Sequence, residues 1–370
     1  MNLTALIAHR VSIPLRRPFT TAVRSATGLE TVLVEVRDSD GRSGWGEAPI
    51  SVVTKTSTSA VIAAAEGPLW SLLAGSADIS HAIGLVETSS APSAGRAAVD
   101  CALHDLGAQQ AGVPLEVYLA GQAPDGGPAP EGAVRQGRVL TDMTLSVAAP
   151  GALAERALAH AAEGFGCLKV KLDAAHDPLA AMLAVRAAVG PAVTLRIDAN
   201  QAFTPEEAIA MIRAFEENQL GIELVEQPVA AGDWEGLARV SAAVCTPVMA
   251  DESVWTAADL ETLLTFKAAP LVNIKLAKTG GLRPAQRMVA RAHRAGLGVV
   301  VGCMLESQVG IGAAAALAAT LPSGVAVAGG AQDLDGGLWL ASSPIRGGAH
   351  YQGAEIILPD TPGQGIEGLM

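Results

Sequence analysis

Five charged residues, Lys171, Asp198, Glu226, Asp251 and Lys275, each end a short apolar run, at intervals of 27, 28, 25 and 24 residues. That interval is the length of one β-strand, one crossover helix and two loops. Right-handed crossovers lay successive strands side by side and parallel, and about eight such strands close into a barrel whose ends share one mouth. Strand-like runs fit the period at 143–147, 168–171, 193–198, 222–226, 247–250, 271–275, 299–302 and 325–328. Helical patterns lie between them, such as Thr204-Pro205-Glu206-Glu207, an N-cap followed by proline and acids at a helix start. The expected fold class is therefore α/β, a TIM-type (β/α)7β barrel over residues 126–335.

The first 125 residues do not follow this period. Thr31-Val32-Leu33-Val34-Glu35-Val36 alternates as a strand, and Asp40-Gly41 signals a hairpin leading to Gly44-Trp45-Gly46-Glu47. Alanine-rich helical stretches follow near 61–73 and 97–111. Strands first and helices afterwards predict a separate α+β domain. Residues 121–133 are dense in Gly and Pro and read as a linker. Past Asp333-Leu334-Asp335-Gly336-Gly337 the unit fails, so 336–370 is expected to return to the first domain and complete an α+β cap.

Half the residues are hydrophobic but only 3% are aromatic, so the core must be built from aliphatic and alanine packing. A net charge of -12 with no basic cluster argues against nucleic acid as a partner. The four cysteines form no C-x-x-C pair and no zinc spacing, as expected of reduced thiols in the cytoplasm. The N-terminus lacks a signal-peptide apolar region. Residues 307–332 carry no charge, but their glycines, Gln308 and Pro322 suit a buried helix and strand better than a membrane span.

Asp198, Glu226 and Asp251, each at a strand's C-terminal end, could offer three carboxylate oxygens to one Mg2+ per subunit, with substrate and water completing an octahedron. The absence of His or Cys at these positions argues against zinc. Lys169 and Lys171 lie two apart on a strand and point to the same side. Their mutual repulsion is expected to lower a lysine pKa toward the working range, with Lys171 as the base and Lys169 tuning it and holding a substrate carboxylate. Lys275 ends the sixth strand, across the barrel from the second. A base on each face of a planar intermediate removes a proton on one side and returns it on the other. Lys278 reads as an ordinary surface lysine.

The segments LKVKLD, LRIDANQAF, IELVEQP, PVMADES, VNIKLAKTGG and VGCMLES resemble the enolase superfamily in its muconate-lactonizing subgroup. FTTAVRSATG and GWGEAP resemble that group's N-terminal capping domain, so the likeness covers the whole chain. It implies Mg2+ on Asp198, Glu226 and Asp251, an acid/base pair of Lys171 and Lys275, and Asn200 and Glu252 orienting the ligands. It also implies Thr144 and Glu306 at the substrate pocket, and a homo-oligomer. The subgroup's sibling reactions share this core, o-succinylbenzoate synthesis, N-acylamino acid racemisation and dipeptide epimerisation among them. Acid-sugar dehydratases are disfavoured because His293 falls inside a helix pattern rather than at a strand end.

What separates the siblings is the group that holds the rest of the substrate. Asp333 and Asp335, two apart at the end of the eighth strand, resemble the amine-binding motif of dipeptide epimerases. Two carboxylates beside three others are costly unless a cation such as an α-ammonium arrives. Arg24, in a cap loop resembling that of epimerases acting on L-Ala-D/L-Glu, would pair with a side-chain carboxylate. Lys55, where a small residue is expected, departs from the pattern. The expectation is a dipeptide substrate with no membrane or nucleic-acid partner.

Overall fold

The computed structural model describes residues 2–21, 25–122, 136–322, 324–325, 327 and 330–370. Arg24 and most of the expected linker lie outside the described residues. The chain begins with a three-stranded antiparallel sheet, β1 (Leu3–Thr20), β2 (Ser25–Asp38) and β3 (Ser43–Ile50), in that order. The β2–β3 turn holds Gly41 at φ +84°, left-handed geometry that favours glycine. A helix, Ser93–Ala111, packs against β3 with almost its whole length buried. Gly44 and Gly46 allow this: a Cβ on either would overlap a helix carbonyl, Ala102 or Ala98 respectively.

After β4 (Arg138–Leu140), seven strands form one parallel sheet. They are β5 (Met143–Leu145), β6 (Cys167–Lys171), β7 (Thr194–Asp198), β8 (Ile222–Glu226), β9 (Val248–Ala250), β10 (Leu271–Lys275) and β11 (Gly298–Gly302), with neighbours in space also neighbours in sequence. A helix follows each. The one after β7, Pro205–Glu217, starts with the expected cap: Thr204 and Glu207 satisfy each other's backbone amides, with Pro205 at the first turn. Inward valine, leucine and isoleucine side chains and the facing helix stripes form one apolar core.

Closure of the ring lies further along the chain than one expectation had it. Of the eighth strand predicted at 325–328, residues 326 and 328 lie outside the described residues; among the described residues, those that join the two edges are Gln332 and Asp333. Gln332 bridges to Thr141 and Asp333 to Gly302, both in the parallel sense. Asp333 N donates to Val301 O at 3.0 Å, and Asp142 N donates to Gln332 O at 2.8 Å. An apolar run marks what is buried, whereas ring closure is made by backbone amides and needs no apolar side chain. Val325 still meets the sheet, its carbonyl accepting from Val299 N at 2.8 Å.

The C-terminal residues run back over the first domain. Within them β12 (Ile345–Gly347) pairs with β15 (Ile366–Leu369), and β13 (His350–Gln352) and β14 (Glu355–Ile357) join β4. Gln364 is a main tie to the cap, its Nε2 donating to Trp45 O and its backbone N to Asp105. The uncharged stretch forms the buried helix Gln308–Ala318. Among the described residues no helix is long and apolar enough to cross a membrane.

Candidate active site

The C-terminal ends of β5–β11 bring the expected residues to one cleft. Thr144, Lys169, Lys171, Asn200, Asp251, Glu252, Lys275, Asp333 and Asp335 line it, and Phe19, Thr21 and Val53 of the first domain cover it. β6 and β10 are four places apart in an eight-membered ring, so Lys171 and Lys275 approach from opposite sides.

Each strand-end carboxylate is held by an ammonium. Lys171 Nζ donates to Asp198 Oδ2 at 2.6 Å and to Asn200 Oδ1 at 3.0 Å. Lys169 Nζ donates to Glu226 and Asp333 at 2.8 Å each and lies 3.3 Å from Asp198. Lys275 Nζ donates to Asp251 Oδ2 at 2.8 Å. Asp198, Glu226 and Asp333 thus converge on the positive charge of Lys169, while Asp251 sits on Lys275 and Lys278. Carboxylate oxygens of this kind suit a hard cation such as Mg2+ better than zinc. Among the described residues the tightest carboxylate cluster is a different one, Asp142, Asp333 and Asp335, with ligand atoms within 4.8 Å of one another. There Asp142 is already paired with buried Arg196 at 3.1 Å and Asp333 with Lys169. The strand-end acids are paired in the same way, Asp198 with Lys171, Glu226 with Lys169 and Asp251 with Lys275 and Lys278.

The expected mutual depression of the lysine pair does not govern Lys169. Burial works to lower its pKa, but Asp333, Glu226 and Asp198 outweigh burial and hold it well above the ordinary lysine value. Lys275 is raised in the same way, burial being outweighed by Asp251, Glu226 and Asp333. The carboxylates divide. Against the cost of burial, Lys171 and Lys169 hold Asp198 down at about 2. Glu226 is pushed up to about 8 by burial and by Asp198.

Lys278 corrects a second expectation. It is 1% exposed, not a surface residue. Its Nζ donates to Asp251 Oδ1 at 2.7 Å and to the carbonyls of Asp251 and Asn273 at 2.6 and 2.9 Å. The short helical turn Leu276–Thr279 folds it back under β9 and β10. Asn273 was also missed: its Nδ2 donates to Glu226 and Asp333 at 2.8 and 3.1 Å. Its place two residues before Lys275 was the signal that could have found it.

The remaining expected residues are placed as follows. Asn200 has φ +42° and donates from Nδ2 to Glu252 at 3.1 Å. Gln227, at φ +36°, accepts the amides of Asp251 and Ser253 and so couples the two loops. Non-glycine residues with positive φ cost energy and concentrate where a loop is over-determined by its partners. Asp335 Oδ2 accepts from Thr144 N at 2.8 Å and from the Trp339 indole at 3.0 Å. Glu306 does not line the cleft. It accepts from Met304 N at 2.8 Å, and burial and the cap's Glu47 raise it to about 8. Lys55 is exposed, with φ +50°, and does not line the cleft either.

A capped parallel barrel whose mouth carries three successive strand-end acids between two lysine-bearing strands is built for proton transfer in a sheltered site. The family comparisons agree. Residues 152–368 match the family described as enolase C-terminal domain-like, and residues 3–120 match the mandelate racemase / muconate lactonizing enzyme N-terminal domain. The chain belongs to the mandelate racemase / muconate lactonizing enzyme family of enolase-like barrels. It is 38% identical to the L-Ala-D/L-Glu epimerase of Bacillus subtilis (strain 168), over 100% of this chain and 97% of that protein. The substrate-liganded complex of that Bacillus subtilis enzyme superposes with a TM-score of 0.92 at 36% identity, each chain covered in full. The dipeptide epimerase of Enterococcus faecalis V583, complexed with Mg and the dipeptide L-Leu-L-Tyr, superposes with a TM-score of 0.89 at 31% identity over 99% of both chains.

Proposed function

We propose that this chain is a Mg2+-dependent dipeptide epimerase that inverts the α-carbon of the C-terminal residue of L-Ala-D/L-Glu-like dipeptides. The observation that carries this reading is the placement of Lys171 and Lys275 on opposite strands of the ring, with Asp333 and Asp335 at the same cleft. Asp198, Glu226 and Asp251 would hold the metal, with Asn200 and Lys278 steadying Glu252 and Asp251. Bound there, Mg2+ would supply Lewis-acid stabilisation of the charge that develops on the substrate carboxylate.

The chain's own residues do the rest. One lysine, neutral, takes the α-proton from one face, leaving a planar carbanion. The other, as an ammonium, returns a proton to the opposite face. Lys275, held charged by its carboxylates, is ready as the donor, and the roles exchange for the reverse reaction. Asp335, with Asp333 beside it shared with Lys169, receives the dipeptide's α-ammonium. Phe19 and Val53 keep bulk water from the carbanion. Arg24 is assigned the side-chain carboxylate of the C-terminal residue, and the enzyme is placed in the cytoplasm as a homo-oligomer.

The test is incubation of purified enzyme with L-Ala-L-Glu and L-Ala-D-Glu in D2O. Deuterium should enter the α-position as the diastereomers interconvert. Lys171→Ala and Lys275→Ala should each lose epimerisation by roughly 100-fold or more. Each should keep exchange from one diastereomer only, and the two variants should keep opposite ones. Full turnover in either variant would exclude the two-base route.

A further inference from the structure

A second cavity, of about 230 Å3, lies outside the barrel wall and shares no lining residue with the central cleft. Adjacent residues of β5 divide the two spaces. Thr144 faces the central cleft and Met143 the second cavity, as alternation along a strand requires. Arg16 and Arg17 of β1 line one side of this cavity, and Met143, Phe165, Leu338 and Trp339 give it an apolar wall.

The charge here is unbalanced. Among the described residues no carboxylate lies within salt-bridge distance of Arg16 or Arg17. Arg16 Nε donates to Leu340 O at 2.8 Å. Arg17 Nη2 donates to His160 Nε2 at 2.7 Å, and its guanidinium stacks 4.6 Å from the Trp339 ring centroid. Among the described residues Glu163 is the one carboxylate in the lining, so beside the two guanidiniums the lining keeps one positive charge in excess. Glu163 accepts from His160 Nδ1 at 2.8 Å. That bond sets the tautomer that lets Nε2 accept from Arg17. Burial and nearby Arg156, against the opposing pull of Glu163 and Asp335, hold the Arg17 pKa below the ordinary arginine value. A half-buried guanidinium with spare donors, beside an apolar wall, is matched to a carboxylate on a small apolar body.

We infer that the cavity between Arg16, Arg17 and Trp339 is a second binding site, for a small organic carboxylate. At about 30 Å3 per water-sized group the space holds at least roughly seven such groups, the size of a short branched acid. The ligand's carboxylate sits on the two guanidiniums and its hydrocarbon on Met143 and Phe165. Trp339 carries the consequence, because the ring stacked under Arg17 also donates its indole N–H to Asp335 in the central cleft.

Calorimetric titration of the full chain with sodium isovalerate, isovaleramide and inorganic phosphate tests this without relying on turnover. Isovalerate should bind at one site per chain, and the neutral amide at least about tenfold more weakly, the worth of one charge-assisted contact. Arg17→Gln should weaken isovalerate binding by a similar factor. Arg16→Gln, at an exposed position where folding is not at stake, should weaken it severalfold. Asp333→Asn, in the central cleft, should leave it unchanged. Equal binding of acid and amide, binding of phosphate alone, insensitivity to both arginine substitutions, loss of binding in Asp333→Asn, or no binding at millimolar isovalerate would each overturn the assignment.

Discussion

Asp335 offers its two carboxylate oxygens unequally. Oδ2 is occupied by the Thr144 amide and the Trp339 indole, so Oδ1 is the oxygen left for a substrate ammonium. Trp339 is itself fixed from both sides, by the edge of Phe19 at 4.7 Å and by the Arg17 guanidinium. Trp339→Phe keeps the ring and deletes the N–H. It should raise the dipeptide KM by about tenfold or more, the worth of one hydrogen bond to a charged group, and leave kcat within a factor of about two. An N-acetylated dipeptide, which has no ammonium, should show no such difference between wild type and variant. A fall in kcat at unchanged KM would contradict this role. Lys278 makes the same point from the other side. A buried ammonium satisfied by one carboxylate and two carbonyls holds Asp251 in place while remaining invisible to a reading based on strand ends.

At the scale of elements, the site depends on how closely β3 packs on the helix Ser93–Ala111. Gly44 and Gly46 let the strand backbone touch the helix backbone, and the cap that carries Phe19 and Val53 over the cleft is built on that contact. Gly46→Ala drives a methyl into the Ala98 carbonyl and must push the two elements apart. It should destabilise the protein by about 3 kcal/mol or more, read as a lowered urea midpoint. Gly151→Ala, in the helix Pro150–Ala162, whose Cβ meets nothing within 4 Å, is the control and should change little. Equal stability of the two variants would show that the close approach is not what holds the cap together. The loops after β7 and β8 rest on a different device, the strained backbones of Asn200 and Gln227, both fixed by hydrogen bonds to the loop after β9.

On the scale of the whole molecule, cap and barrel are joined by buried acids. Glu47 of β3 accepts from the Ser307 hydroxyl at 2.6 Å and from Gly310 N at 2.9 Å, beside Glu306 of the barrel. Burial and Glu47 raise Glu306 from its ordinary 4.5 to about 8. Below pH 4.5 both folded and unfolded chains carry this proton, and it costs nothing. As pH rises from 4.5 toward 8 the unfolded chain releases it first, so stability falls over that window. Glu306→Gln should therefore match wild type near pH 4.5 and exceed it near pH 8.5 by on the order of 1–3 kcal/mol in urea unfolding. A variant less stable than wild type at pH 8.5 would mean that the hydrogen bonds made by the Glu306 carboxylate outweigh the cost of its charge.

The five spaced residues were enough to determine the barrel and to bring Lys171, Asp198, Glu226, Asp251 and Lys275 to one mouth. Strand-plus-helix periodicity is a local property, and a closed parallel ring turns it into convergence. The motif resemblance to the enolase superfamily was likewise written in contiguous residues. The closure at Gln332 and Asp333 was not legible, because backbone pairing across the ring leaves no apolar signature. Nor were Lys278 under Asp251, Glu306 against Glu47, or the indole behind Asp335. The first two depend on which residue, tens to hundreds of positions away, arrives at the same buried point. The indole lies only four residues past Asp335, but its aim is set by Phe19 and Arg17, over three hundred positions away. Only the tertiary structure decided whether a charged side chain there met a partner, a carbonyl or another charge of its own sign.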